Sequence, residues 1–106
     1  MTYAIRKKLP DRRAWQNFCF VHAGHKYTAT FSRDNAGNIA EVFLNASKSG
    51  SATDAYANDG ALLFSISLQH GVPLAAFAHA VKRDADGRPS SPIGAALDLL
   101  APEASA

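Results

Sequence analysis

The chain has 106 residues, 47% of them apolar and 19% charged, with a formal net charge of +2 at pH 7. That is the composition of one small globular domain; it excludes a disordered segment, and so small a charge is no argument by itself for a polyanionic partner. A single cysteine, Cys19, excludes an internal disulfide or a redox dithiol within the chain, and no run of about 18 apolar residues is present to span a membrane.

Residues 1–15 read as a basic arm. Arg6, Lys7, Lys8, Arg12 and Arg13 supply five of the eleven basic residues, Pro10 forbids a helix interior, and Ile5, Leu9 and Trp15 are its apolar anchors. The opening "MTYAIRKKLP" has no apolar stretch after its charges, so no secretory signal is read and a cytoplasmic compartment is expected. From Gln16 the pattern changes. "NFCFVH" is rich in strand-forming types, with Phe18, Phe20 and His22 on one side and Cys19 expected as a small core residue. "AGH" is a turn. "KYTATFS" alternates, with Tyr27, Ala29 and Phe31 on one face and Lys26, Thr28, Thr30 and Ser32 on the other. "RDNAGN" has the residues of a hairpin loop, and "IAEVFLN" is a third strand.

After Gly50 the period becomes helical. Asp54, Asn58, Ser65 and Gln69 trace a polar stripe that predicts a solvent-facing side, with Leu62, Leu63, Phe64, Ile66 and Leu68 buried. Gly71 is the expected left-handed cap. Pro73 opens a second helix with Leu74, Phe77, Ala78 and Val81 on one face. A third begins at Ser91-Pro92, buries Ile93, Ala96, Leu97 and Leu100, and is expected to stop at Pro102. The order βββααα predicts an α+β domain over 16–101, a tail at 102–106, and helices packed on one face of an antiparallel meander. The other face is then open, and two copies would stack there as a homodimer if Phe18 and Phe20 lie on it.

In this order, "RKKLPDRR", "AGHKYTATF", "GNIAEVFLNASKSGS", "SISLQHGVPLAAFAHAV" and "SSPIGAALDLL" resemble the C-terminal region of adenosylcobalamin-dependent (class II) ribonucleotide reductases, the TSCPD domain, from about Arg6 to Leu100. The resemblance implies an accessory domain rather than the enzyme. In that family the catalytic barrel, with its cobalamin and radical-forming cysteine, lies upstream. The C-terminal cysteine pair of those enzymes and the "TSCPD" motif itself are both missing from these 106 residues. No catalytic residue, cofactor or resident metal is therefore expected. The partner implied is a ribonucleotide reductase or related enzyme.

Two segments carry candidate binding chemistry. "SKSGSATD" joins a strand to a helix, where unpaired N–H groups favour an anion; Lys48, Ser49, Gly50, Ser51 and Thr53 would hold a nucleotide or phosphate. It is not a Walker A motif, because Lys48 precedes Gly50. The plain alternative is a turn at Gly50 with Ser51 or Thr53 capping the helix. The basic arm would contact nucleic acid in a salt-dependent way, or serve as a solvated or protein-contacting segment, as the resemblance favours. Cys19, His22 and His25 are spaced C-x2-H-x2-H, but offsets of three on a strand alternate faces, so no metal site is read. His22 is expected on the sheet surface. Asp59 beside Gly60, with Glu41 the only second acid on the strands, is a weak acid–base pair.

Overall fold

The computed structural model describes Leu9, residues 14–47 and residues 51–104. Three strands, β1 (Trp15–His22), β2 (His25–Arg33) and β3 (Ile39–Ala46), form one antiparallel sheet in the order β1-β2-β3. Helices α1 (Ala52–Gln69), α2 (Leu74–Ala80) and α3 (Pro92–Ala104) follow. The α+β meander-then-helices architecture read from the sequence is the one observed.

Both hairpins form for local reasons. His22 pairs with His25, leaving Ala23 and Gly24 as a two-residue turn with φ of +50° and +78°. Positive φ at both positions gives the turn whose twist matches a β-hairpin, although Ala23 is a side-chain-bearing residue there. In the second turn Asp34 Oδ1 accepts from the amides of Ala36 and Asn38 at 2.9 and 3.0 Å, the local capping expected of Asp in a turn.

The core lies on the side of the sheet bearing Tyr27, Ala29, Phe31, Val42 and Leu44, against Ala57, Ala61 and Phe64 of α1 and Ala96, Leu97 and Leu100 of α3. Phe18 and Phe20 pack on this side. The stacking surface expected of them on the opposite face is therefore corrected: alternation puts Trp15, Cys19, Val21 and Phe43 there instead. Trp15 and Phe43 meet with ring centroids 5.6 Å apart.

The polar stripe of α1 is inverted relative to expectation. Ser65 and Gln69 are each only 4% exposed. The Val42 amide donates to Ser65 Oγ at 2.8 Å, and that hydroxyl lies 2.9 Å from the Val42 carbonyl and 2.8 Å from the Ala61 carbonyl. Gln69 Nε2 donates to the Ala40 carbonyl at 3.1 Å, and the Ala46 amide donates to Asp54 Oδ1 at 2.9 Å. The helix thus lies along the free edge of β3, where its side chains meet the Ala40 carbonyl, both backbone groups of Val42 and the Ala46 amide, groups that a fourth strand would otherwise have met.

The turn from α1 into α2 closes as sequence predicts. The Gly71 amide donates to Leu68 and the Val72 amide to Ser67, at 3.0 and 3.1 Å, with Gly71 at φ +93°; this is a Schellman motif. Pro73 is the N-cap of α2 rather than its first residue. Ser91 caps α3 through its Oγ, which accepts from the Gly94 amide at 3.1 Å. Pro102 does not stop α3, which continues to Ala104. A proline removes its own N–H and crowds the carbonyl four residues back, and so near the helix end those are the only bonds at stake.

Candidate functional site

The strand-to-helix loop is built from β3 outward. The Ser47 amide donates to the Lys26 carbonyl at 2.9 Å, which extends the β2–β3 ladder by one residue. Lys48, Ser49 and Gly50 lie outside the described residues. Ser51 holds an extended N-cap conformation, φ −84° and ψ 160°, and its Oγ accepts from the Asp54 amide at 3.0 Å. Of the two capping candidates, Ser51 is the cap; Thr53 is half-buried in the first turn.

The decisive electrostatic feature here is Asp54. Its carboxylate sits in the first turn of α1, beside the positive end of the helix dipole. Its Oδ1 already accepts the Ala46 amide. Burial pushes the Tyr27 hydroxyl above its ordinary pKa, and the Asp54 charge raises it further. An incoming anion would meet this carboxylate as well as the helix N–H groups.

The arm residues Arg6, Lys7, Lys8, Arg12 and Arg13 also lie outside the described residues, while Leu9 is half-buried.

The Cys/His set does not converge. Cys19 is exposed, not a core residue, with Sγ 3.5 Å from Thr28 Oγ1. His22 is half-buried on the core side of β1, not on an open surface, and its Nε2 lies 3.0 Å from the Pro89 carbonyl, tying β1 to the loop before α3. His25 is exposed at the start of β2. Among the described residues no group of three His, Cys, Asp or Glu side chains is placed to hold a metal. Asp59 is exposed on α1, whereas Glu41 lies on the opposite sheet face and accepts from Ser32 Oγ at 3.1 Å.

Two surfaces were missed in sequence. The first is the outward side of α1. Tyr56 is 77% exposed, Leu63 67% and Leu62 49%, and with Ala52, Ala55 and Ile66 they form an apolar stripe whose acidic member is Asp59. The signal was present but misassigned, because the polar stripe was given to solvent and these leucines to the core. The second is a groove of about 650 Å³ between the β2–β3 turn and α2, floored by Ile39, Leu68, Val72 and Leu74 and edged by Asp34 and His79. It arises from the short connection Gly71–Pro73, which sequence reading treats only as a helix break.

The TSCPD domain model matches residues 1–100. The chain belongs to the TSCPD domain family. Similar curated proteins include the vitamin B12-dependent ribonucleotide reductase of Bradyrhizobium diazoefficiens, 36% identical over 69 residues, covering 65% of this chain and 6% of the relative. That of Agrobacterium fabrum is 36% identical over 75 residues, covering 71% of this chain and 6% of the relative. The matched region of this TSCPD chain therefore spans a small fraction of those enzymes. No solved structure matches the chain.

Proposed function

We propose that this TSCPD chain is a non-catalytic accessory module that docks on a protein partner of the ribonucleotide reductase class, using the outward stripe of α1. The observation that carries the reading is the exposure of Tyr56, Leu62 and Leu63 on one helix face. Contiguous apolar surface of this kind, rimmed by polar residues, marks interaction sites in soluble proteins. Asp59 lies within the stripe, so the partner's surface would be apolar with a cationic group opposite that carboxylate. The chain's single cysteine cannot supply the dithiol that nucleotide reduction consumes.

The test is direct binding of the purified chain to a vitamin B12-dependent ribonucleotide reductase, with turnover followed in parallel. Binding that Leu63→Glu abolishes supports the reading. Binding that Leu63→Glu and Tyr56→Glu both leave intact removes α1 as the contact, and no binding to any such reductase removes the partner class.

A second reading is a nucleotide-like anion at Lys48, Ser49, Gly50, Ser51 and Thr53. It is favoured by the helix start at Ala52 with Ser51 in cap conformation, and it ranks second because Asp54 already places negative charge there. A thermal-unfolding panel of nucleotides, deoxynucleotides, phosphate and short single-stranded DNA tests it. A ligand at 100 times its dissociation constant adds about 2.7 kcal/mol, a shift of several degrees for a domain of this size.

A further inference from the structure

The two edges of the sheet are treated differently, and the difference points to a second interaction surface. On β3 outward-pointing groups of Ala40, Val42 and Ala46 are met by α1 side chains. Backbone groups alternate in direction along an antiparallel strand. Even-numbered residues of β3 therefore face outward, and odd-numbered ones bond to Thr28, Thr30 and Ser32 of β2 through the observed register. Tyr27, Ala29 and Phe31 then bond to β1, where their partners are Phe20, Phe18 and Gln16. The N–H and C=O groups of Asn17, Cys19 and Val21 are left pointing away from the sheet.

All three residues are exposed. The usual guards of such an edge are absent from β1: "WQNFCFVH" holds no Lys, Glu, Asp or Pro, and the register with β2 is unbroken along the strand. Among the described residues no helix takes the place beside β1 that α1 takes beside β3. His22 reaches Pro89 through its side chain on the core side, not through its backbone edge.

We infer that β1 pairs with β1 of a second copy of this chain, antiparallel about a two-fold axis at Phe18, to form a continuous six-stranded sheet. The occupant is argued from self-complementarity. The segment is uncharged, so no like charges meet. The parity of the outward groups allows Asn17 to face Cys19 of the second copy in both directions, with about four backbone hydrogen bonds around the axis. The same register brings the half-buried Phe18 rings of the two copies together on the helix side and sets Val21 near the opposing Trp15 on the other. An interface of one strand from each copy is small, so the dimer is a weak one. It leaves the α1 stripe free and stands independently of the partner proposed above.

The experiment is sedimentation equilibrium of the full chain from about 5 to 500 μM, the range in which small interfaces dissociate, with Asn17→Pro and Val21→Lys alongside. The Asn17 amide makes no bond to β2, so proline there removes an outward donor and spares the ladder; circular dichroism confirms that the fold survives. Val21→Lys adds the missing edge charge without touching the backbone. The expected result is a monomer–dimer equilibrium that each variant weakens about tenfold or more. Cys19 is the only cysteine, and in this register the two Cys19 Cα atoms are about 9 Å apart, so a short bis-maleimide links wild-type copies in high yield. A monomer across the whole range overturns the inference, as does a dimer that both variants leave unchanged.

Discussion

Ser65 on α1 and Val42 on β3 exchange hydrogen bonds: the Val42 amide donates to the hydroxyl at 2.8 Å, and the Val42 carbonyl lies 2.9 Å from the same oxygen. One short side chain thereby serves both backbone groups of a strand residue that is itself fully buried. Ser65→Ala strands the Val42 amide without a partner and is expected to cost about 1–3 kcal/mol. Ser67 makes the same bond to the carbonyl four residues back, Leu63, at 2.8 Å, but on an exposed site, so Ser67→Ala should stay within about 0.5 kcal/mol. Urea denaturation of the two variants checks the contrast; equal losses would mean that the edge contact contributes nothing beyond the intrahelical bond.

The Ser51 hydroxyl caps α1 through the Asp54 amide. Ser51→Ala is expected to lower stability by about 1 kcal/mol, and Ser51→Asp to restore much of it, since a carboxylate caps equally well and suits the helix dipole. If the loop holds an anion, Ser51→Asp has the opposite effect on ligand-induced stabilisation and removes it. Thermal melts with and without inorganic phosphate separate capping from binding in one pair of variants.

The Ala23–Gly24 turn asks a residue with a Cβ to hold φ +50°, in the region that costs most L-residues about 1 kcal/mol or more. Asn-Gly is the preferred pair for such a turn. Ala23→Asn should therefore raise the urea midpoint, by about 0.5–1 kcal/mol in stability, with an unchanged m-value. A lower midpoint would show that the turn in solution is of another type.

Arg83 grips Asp98 with both terminal nitrogens, at 2.9 and 2.8 Å. These bonds hold the Asp98 carboxyl below its ordinary range, chiefly through hydrogen bonding and secondarily through charge. With the folded pKa depressed, the stability contributed is present above the unfolded carboxylate value near pH 4 and is lost as pH falls through the lower folded value. Asp98→Asn should flatten that part of the acid limb. The pair is partly exposed, so the effect is small and fades in high salt. Tyr27 acts at the other extreme: its raised pKa means that stability is lost as pH climbs above about 10.

How these elements were legible differs from one to the next. The turns at Ala23–Gly24, Asp34–Asn38 and Gly71, and the cap at Ser91, were readable because each rests on a residue whose local chemistry suffices. Membership of the core by Tyr27, Ala29, Phe31, Leu97 and Leu100 followed from period alone. The face of α1 did not, because Ser65 and Gln69 look solvent-facing until the edge of β3 is brought beside them. A hint was available in their chemistry: the stripe uses short or uncharged groups suited to backbone partners, and it has no Lys or Arg. Cys19 was misread for a related reason, since the helices cover only the face taken by Phe18 and Phe20 and leave the face of Cys19 exposed. Of the candidate anion loop, sequence narrowed the helix cap to Ser51 or Thr53 but gave no weight to Asp54, whose role depends on the position of Ala46.

The guard of β3 arrives promptly during synthesis. Every strand pairs with its immediate predecessor, and the helix that closes the last edge is the next element to emerge. At 5–20 residues per second, the stretch from Ala46 to Gln69 takes about 1–5 seconds to make. The β3 edge is thus bare for only about that interval, and α1 reaches it before α2 or α3 has emerged. Contacts between neighbours in sequence also keep loop-closure costs low, which favours rapid folding. A nascent chain with His70 just clear of the ribosome should already be protected against pairing at β3, whereas no later element among the described residues covers the outer edge of β1.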